Sequence, residues 1–391
     1  MTLETSRHTL PVAPLGAASP SADHRAGLVV SGLTKSLGGR TIVDSFDLRL
    51  RPGELVTLLG PSGCGKTTTL RMIAGFLAPD SGTVTIDGRD VTNLGPEKRP
   101  SAMVFQNYAL WPHLTVFKNV AFPLTVKRLP KAEVTTRVMN ALETVGLTHH
   151  AQSRPAHISG GEQQRAALAR AIVQEPGLLL LDEPLSNLDA QLRVRVREEI
   201  REIQQRLAIT TVMVTHDQEE ALAISDRVAV MNGGRVEQVD APSAVYATPA
   251  TSFVASFIGS MNVLTSAELD RVRHGRAEAA GPSETGGPFA AGEPLEAGEP
   301  LEAGEPFNAE GETWAVRPEH VVFRPAPGGP IEVRRILPHG HFTEVVLDAG
   351  GLELRAVVTG EAPREGDRGD VTLTRVQHYR DGLLTASGEA R

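Results

Sequence analysis

Apolar positions in this chain switch repeatedly between a period of two and a period near 3.6, and the switches mark out its elements. Leu28-Val29-Val30 and Ser45-Phe46-Asp47-Leu48-Arg49-Leu50 alternate as strands do, and Arg51-Pro52-Gly53-Glu54 reads as the turn into a strand, Leu55-Val56-Thr57-Leu58-Leu59. A helix-like run over 68–76 follows. Then come a strand, Gly82-Thr83-Val84-Thr85-Ile86, with the turn Asp87-Gly88, and a short buried strand, Ala102-Met103-Val104-Phe105, that ends at Gln106. Between 118 and 157 the character changes to helical spacing over 132–145 with proline-bounded ends, which reads as a helical insert. Ser159 is placed to cap the next helix. Leu178-Leu179-Leu180-Leu181 is a fully apolar strand ending in Asp182-Glu183, and Leu192, Val196, Ile200, Ile203 and Leu207 mark one helical face. Thr211-Val212-Met213-Val214-Thr215 is a further strand that delivers His216. Strands alternating with helices predict a mostly parallel sheet covered on both sides, with ligand chemistry at the carboxyl ends of its strands.

Around 246–258 the alternation stops, and 277–309 is poor in large side chains. Within it, 291–307 runs nearly three times through the repeat Ala-Gly-Glu-Pro-Leu-Glu. Too few apolar groups are present there to offset the entropy of ordering, so a flexible acidic loop is expected. Short alternating segments follow, at 314–316, 321–323, 331–333, 344–347, 352–358 and 371–376, and they predict a small all-β barrel or sandwich.

With 391 residues the chain exceeds one ordinary compact domain. The pattern divides it into a disordered tail over 1–27, an α/β domain over 28–247 with the helical insert at about 107–157, and a β domain over 248–391 that carries the acidic insert at about 277–309. A net charge of −8 argues against a general nucleic-acid binder, which carries a basic face. No run approaches the roughly 18 to 20 apolar residues that span a bilayer, and the first 27 residues lack the basic start and unbroken apolar core of a secretion signal. Any membrane role is therefore expected to run through a partner. Cys64 is the sole cysteine, so no disulfide closes within one chain, which fits a reducing cytoplasm.

Gly60-Pro61-Ser62-Gly63-Cys64-Gly65-Lys66-Thr67-Thr68 is a complete G-x-x-x-x-G-K-T phosphate-binding loop, with the strand before it and the helix after it that the motif requires. Glycines let backbone N–H groups point inward around phosphates and the helix N-terminus adds positive partial charge. Lys66 reaches the β- and γ-phosphates, and the Thr67 hydroxyl can hold Mg²⁺. Such a loop alone covers kinases, GTPases and many ATPases. The discriminating feature is Ser159-Gly160-Gly161-Glu162-Gln163 ahead of Asp182-Glu183.

In these motifs the chain resembles the ATP-binding subunits of ABC transporters over about 28–258. Gln106 matches the family's glutamine loop and Ser159-Gly160-Gly161-Glu162-Gln163 its signature. Asp182 and Glu183 match the second nucleotide motif, Ser186-Asn187-Leu188-Asp189 the D-loop, and His216 the switch histidine. The resemblance implies a P-loop NTPase domain with a helical subdomain, and ATP with Mg²⁺ as its ligands. Thr67, Gln106 and Asp182 would surround the metal, while Glu183 would polarise the attacking water. His216 would contact the γ-phosphate and orient Glu183 or the water. Ser159, Gly160, Gly161 and Glu162 would act in trans on ATP held by a second copy, so that a homodimer closes over two nucleotides. Two departures accompany the match: Leu37 stands on the adenine side where the family usually places an aromatic, and Ile158 and Glu162 stand where Leu and Gln are commoner. Glu162 brings a negative charge near the phosphates.

The segment Asn107-Tyr108-Ala109-Leu110-Trp111-Pro112-His113-Leu114-Thr115-Val116 is similar to that of bacterial importer subunits for polyamines, ferric iron, aminoethylphosphonate, sulfate and sugars. There it would line a groove for a short permease helix; ordinary core packing is the plainer reading of the same aromatics. Ala315-Val316-Arg317-Pro318-Glu319-His320 and Phe253-Val254-Ala255-Ser256-Phe257-Ile258-Gly259 resemble the C-terminal TOBE-type domain of the same subunits, an oligonucleotide-binding-like barrel. The implied assembly is a homodimeric ATPase on the cytoplasmic face of the inner membrane, beneath two transmembrane permease subunits. It would drive uptake of a small polar solute, of the polyamine, ferric iron or aminoethylphosphonate kind, delivered by an extracytoplasmic solute-binding protein, with no nucleic acid involved. Two other readings stand beside it: a soluble ABC ATPase acting on ribosomes or DNA, which usually carries two nucleotide domains or a long coiled-coil insertion, and an exporter subunit.

Overall fold

The computed structural model describes residues 27–274 and 311–389. The N–H of Gly27 donates to the Leu50 carbonyl at 3.0 Å and its own carbonyl accepts from the Asp87 N–H, so Gly27, the last residue of the tail expected over 1–27, is tied into the sheet. The remainder of that tail and the acidic repeat at 277–309 lie outside the described residues.

The first half contains β1 (Leu28–Leu37), β2 (Arg40–Leu50), β3 (Leu55–Leu59), α1 (Lys66–Ala74), β4 (Ser81–Ile86), β5 (Arg89–Asp90) and β6 (Ser101–Val104). The insert supplies α2 (Val116–Val126) and α3 (Lys131–Thr144), and α4 (Gly160–Ile172) returns the chain to β7 (Leu178–Asp182), α5 (Ala190–Leu207), β8 (Thr210–Thr215), α6 (Gln218–Ile224), β9 (Arg227–Asn232) and β10 (Arg235–Asp240). Strands β2-β1-β4-β5 form an antiparallel sheet. A second sheet runs β10-β9-β3-β8-β7-β6, parallel except for the edge pair β9–β10. Strands β3, β7 and β8 are buried at every position, which is why none shows a polar side: apart from the terminal Asp182, their residues are apolar or threonine, as a parallel sheet covered on both faces requires. One core fills the space between the two sheets and α1, with Leu28, Phe46, Leu58, Leu70, Ile73 and Val212 at its centre. A second core joins the insert to the other face of the parallel sheet through Val120, Leu142, Leu168, Leu179 and Met213. Val196, Ile200 and Ile203 of α5 point into it, while Leu207 at the end of the same stripe is exposed. Helix α1 starts at Lys66, two residues before the expected 68.

Two short helices follow, α7 (Pro242–Ala247) and α8 (Ser252–Phe257). Val254, Phe257 and Ile258 pack on Leu59, Val228 and Val230, whereas Ala255 packs on Ala315 and Tyr379, so α8, which lies past the boundary expected at 248, packs on both domains. The rest is β11 (Asn262–Leu264), α9 (Ser266–His274), β12 (Glu312–Val316), β13 (Val321–Pro325), β14 (Ile331–Pro338), β15 (Thr343–Asp348), β16 (Glu353–Val358), β17 (Arg368–Leu373), β18 (Arg375–Arg380) and β19 (Leu383–Glu389). They form two antiparallel sheets, β11-β12-β18-β19 and β13-β17-β14-β15-β16, around Leu264, Val316, Val333, Leu347, Leu354 and Leu373. The two edges of the larger sheet, β13 and β16, lie close together and curl it toward a barrel. The single strand expected over 371–376 is two: Thr374 breaks it, its N–H turned to the His320 carbonyl, and the chain passes from one sheet to the other. Among the described residues no helix is long and apolar enough to cross a membrane.

Candidate active site

The parallel sheet decides which side chains meet. Strands β3, β8, β7 and β6 are neighbours, so the segments that leave their carboxyl ends, 60–68, His216, Asp182-Glu183 and Gln106, are brought to one edge of the domain. The phosphate-binding loop leaves β3 at Gly60, where a Cβ would lie 2.3 Å from the Met231 carbonyl oxygen and 2.8 Å from Cys64 Sγ, so only glycine fits. Gly65 has φ +98 and would set a Cβ 2.7 Å from the Ile42 carbonyl oxygen; both the dihedral and the space require glycine. Between them Pro61, Ser62 and Gly63 turn the chain, and Thr68 lies half-buried in the first turn of α1.

Lys66 is buried, and its ammonium donates to the carbonyls of Gly60 at 2.6 Å and Pro61 at 2.9 Å. Those bonds fold the side chain back along the loop. Cys64 Sγ lies 3.8 Å from the same ammonium, yet burial outweighs that charge and pushes the thiol above its ordinary pKa. The Thr67 hydroxyl donates to Asp182 Oδ1 at 3.0 Å. Asp182 is 5% exposed, and burial pushes its carboxyl up against the opposing pull of the Thr67 hydrogen bond. A hydroxyl and a buried carboxylate form the all-oxygen set that Mg²⁺ prefers, and a cation there would offset the cost of burying the charge. The pair fits the expected metal.

Glu183 follows with φ +44, a left-handed conformation unusual for a residue with a side chain. The turn is held by the Glu183 N–H on the Val214 carbonyl at 3.0 Å and by the Ser186 hydroxyl donating to the Glu183 carbonyl at 3.0 Å. Its Oε2 accepts from Gln106 Nε2 at 3.1 Å and lies 3.4 Å from His216 Nδ1. One carboxylate oxygen is thus the meeting point of residues from three strand ends. Asn187 Nδ2 in turn donates to the Gln106 carbonyl at 2.8 Å, a link that sequence reasoning missed and for which position in the D-loop was the only signal.

Ser159 accepts from the Glu162 N–H and caps α4, while Glu162 Oε2 accepts from the Ser159 N–H at 2.7 Å and from its hydroxyl at 2.9 Å. This capping box turns the Glu162 carboxylate back onto the signature serine, and the Ser159 N–H holds that carboxyl below its usual range. A Cβ on Gly160 would lie 3.3 Å from Leu188, and one on Gly161 3.2 Å from Leu192, so the glycines let the start of α4 pack closely on the D-loop and α5. Asp189 caps α5 through the Leu192 N–H at 3.0 Å. Leu37 closes β1 as an exposed side chain.

Beside this site a groove of about 290 Å³ runs between α1, β6 and the insert, lined by Phe76, Phe105, Trp111, Phe122 and Arg170 among others. Its rim is a built loop. Tyr108 and Ala109 both have positive φ, and Arg170 holds them by donating to both carbonyls at 2.7 Å while its guanidinium lies 5.0 Å from the centre of the Trp111 ring. Buried Asn119 accepts from the Trp111 N–H at 2.8 Å and donates to the Trp111 carbonyl. Phe76 and Phe122 remain substantially exposed along the groove. Neither Arg170 nor Asn119 was foreseen, because each acts on backbone groups that only the fold brings near.

The sequence pattern of the ABC transporter family matches residues 43–186. The chain is 57% identical over 225 residues to a spermidine/putrescine import ATP-binding protein PotA of Thermobifida fusca, covering 58% of this chain and 59% of that one. It is 50% identical over 240 residues to the protein of the same name from Haemophilus ducreyi, covering 61% and 65% of the two chains. The match thus spans less than two thirds of the length of either relative. Against a sulfate/thiosulfate import ATP-binding protein CysA 2 of Chromobacterium violaceum the identity is 47% over 312 residues, covering 80% and 79%. Among solved structures, cbiO1 from Clostridium perfringens, part of the ABC transporter complex cbiONQ, matches with TM-score 0.54 and 30% identity, over 57% of this chain and 92% of that one.

Proposed function

Because the chain belongs to the ABC transporter family of ATP-binding proteins, we propose that it hydrolyses ATP to energise import of a small polar solute through a membrane permease. The observation that carries this reading is the convergence of Gln106 and His216 on Glu183 Oε2, beside the buried Thr67–Asp182 pair. Glu183 is the base: held by Gln106 and His216, its carboxylate is oriented to draw a proton from a water. Lys66 exchanges its bonds to the Gly60 and Pro61 carbonyls for phosphate oxygens, and the loop N–H groups share that charge. Thr67 and Asp182, with Gln106 nearby, would hold Mg²⁺, which would neutralise phosphate charge there.

Ser159, with Gly160 and Gly161, grips the nucleotide of a second copy once its hydroxyl is released from Glu162. The working unit is then a homodimer, and Asp189 and its neighbours lie between the two sites. The aromatic groove accepts a permease helix, with Phe76, Trp111 and Phe122 as its apolar contacts. Two permease subunits, an extracytoplasmic solute-binding protein and a place on the cytoplasmic face of the membrane complete the assembly. The names of the PotA relatives support a polyamine as solute.

Turnover of ATP by the purified chain tests the chemistry. Glu183→Gln is expected to lower it by about 10² to 10⁴, the usual worth of a general base, while ATP still binds. Unchanged turnover would remove Glu183 from the role. Gentle extraction of membranes from cells with a tagged chain tests the partner: permease chains and a solute-binding protein should co-purify, and ribosomal or DNA-repair proteins in their place would overturn the import reading.

A further inference from the structure

One group of three potential metal ligands occurs among the described residues, two histidines outside the site above together with Glu162 of its signature: His149, His150 and Glu162, whose ligand atoms all lie within 4.8 Å of one another. The histidines sit on the short 3₁₀ turn Thr148–His150, after α3, with ring centroids 4.2 Å apart; Glu162 is in the first turn of α4. His150 Nδ1 lies 3.1 Å from Ser153 Oγ, and its Nε2 faces Glu162 Oε1 at 3.3 Å. The other Glu162 oxygen is taken by the Ser159 N–H and hydroxyl. This division is the one that ligating side chains show: an outer nitrogen or oxygen is held by a hydrogen bond, which fixes the group, and the inner atom is left to converge on the metal.

In either tautomer one His150 ring nitrogen meets Ser153 Oγ and the other faces Glu162 Oε1, and the stacked His149 ring brings a third ligand atom within the same 4.8 Å. A metal ion would select the tautomer with Nδ1–H donated to Ser153 and would use both rings neutral. We propose that His149, His150 and Glu162 bind a divalent cation of the zinc class, through two imidazole nitrogens and one carboxylate oxygen, with a coordination position left to solvent. The set differs in kind from the all-oxygen Thr67–Asp182 pair, so Mg²⁺ and this cation sort between the two places by ligand chemistry. Because Glu162 caps the signature serine with its other oxygen, the bound ion also fixes the start of α4.

Titration calorimetry of the full chain with ZnCl₂, without nucleotide and with Mg²⁺ present, is the test. The expected result is one tight site per chain. His150→Ala and His149→Ala should each weaken it by about 100-fold or more, and Ser153→Ala, which removes only the outer partner, by about ten-fold. His150→Gln keeps a polar contact to Glu162 without the imidazole and should also lose the site. Far-ultraviolet circular dichroism and melting temperature without metal check that each variant is folded. Identical binding in the wild type and the His149→Ala/His150→Ala double variant would overturn the assignment by placing the zinc elsewhere. Absence of tight binding would overturn it too and leave His150 and Glu162 as a contact between the two side chains alone.

Discussion

Asp182 holds its carboxyl in a place from which water is nearly excluded. Burial pushes its carboxyl up, so the folded chain binds that proton more readily than the unfolded chain does. The stability contribution is therefore intact below the ordinary carboxylate value and is lost as pH rises through the raised one. Asp182→Asn is neutral throughout. It should melt above the wild type at neutral pH without metal, and the gap should close as pH falls toward the ordinary Asp value; a gap that is constant with pH would mean that charge burial is not its cause. If Asp182 holds Mg²⁺ as proposed, the same variant should also lose ATP turnover with Mg²⁺, because the carboxylate that costs stability is then the one the reaction uses. Lys66, Thr67, Gln106, Asp182, Glu183 and His216 were legible in the sequence because each follows a strand at a fixed offset, and a parallel sheet gathers such ends. Asn187, Arg170 and Asn119 were not, because their partners are main-chain carbonyls or N–H groups that no side-chain pattern marks.

Strands β3, β6, β7 and β8 and the stripe of α5 could be read from the apolar pattern because each is buried on a regular face, whereas β5, β9 and β10 carried no reading at all. The C-terminal half resisted at the places where strands are short. Segment 371–376 alternates only as far as Leu373, and the polar pair Thr374-Arg375 marks where its two ends part to different sheets, while α9 and β19 carry patterns too brief to separate from loop. What joins the halves was invisible to periodicity. Arg317, 2% exposed, donates to the carbonyls of Tyr246, Ile258 and Ser260 and lies 4.2 Å from the centre of the Tyr246 ring. Gln218, two residues past His216, holds the same stretch by donating to the Phe257 carbonyl and accepting from the Gly259 N–H. Arg317→Ala strands three carbonyls in a buried place, at about 1 kcal/mol or more for each, and should cost roughly 3 kcal/mol in urea unfolding. Hydrogen exchange should quicken first at 258–260. Arg317→Lys, which cannot span three acceptors with a fork, should recover little of the loss.

Two copies are needed if the signature serine completes a partner's site, and the catalytic residues within one chain offer a way to prove it. Lys66→Ala removes the phosphate grip from a chain but leaves its Ser159 intact. A bulky replacement, Ser159→Phe, blocks the start of α4 but leaves that chain's Lys66, Glu183 and His216 in place. Each variant alone should form dimers with no complete site and show almost no turnover. Mixed in equal amounts and allowed to exchange, about half the dimers are heterodimers. In each of these the intact Lys66 of one chain faces the intact Ser159 of the other. One site of two is then whole, and turnover should return to roughly a quarter of the wild-type value if the sites act independently. If each chain instead completed its own site, every chain in the mixture would carry a lesion in it and mixing would restore nothing. Diluting the wild type should lower specific activity in the same range in which sedimentation shows dimers parting, because a subunit that borrows half its site loses it on dissociation.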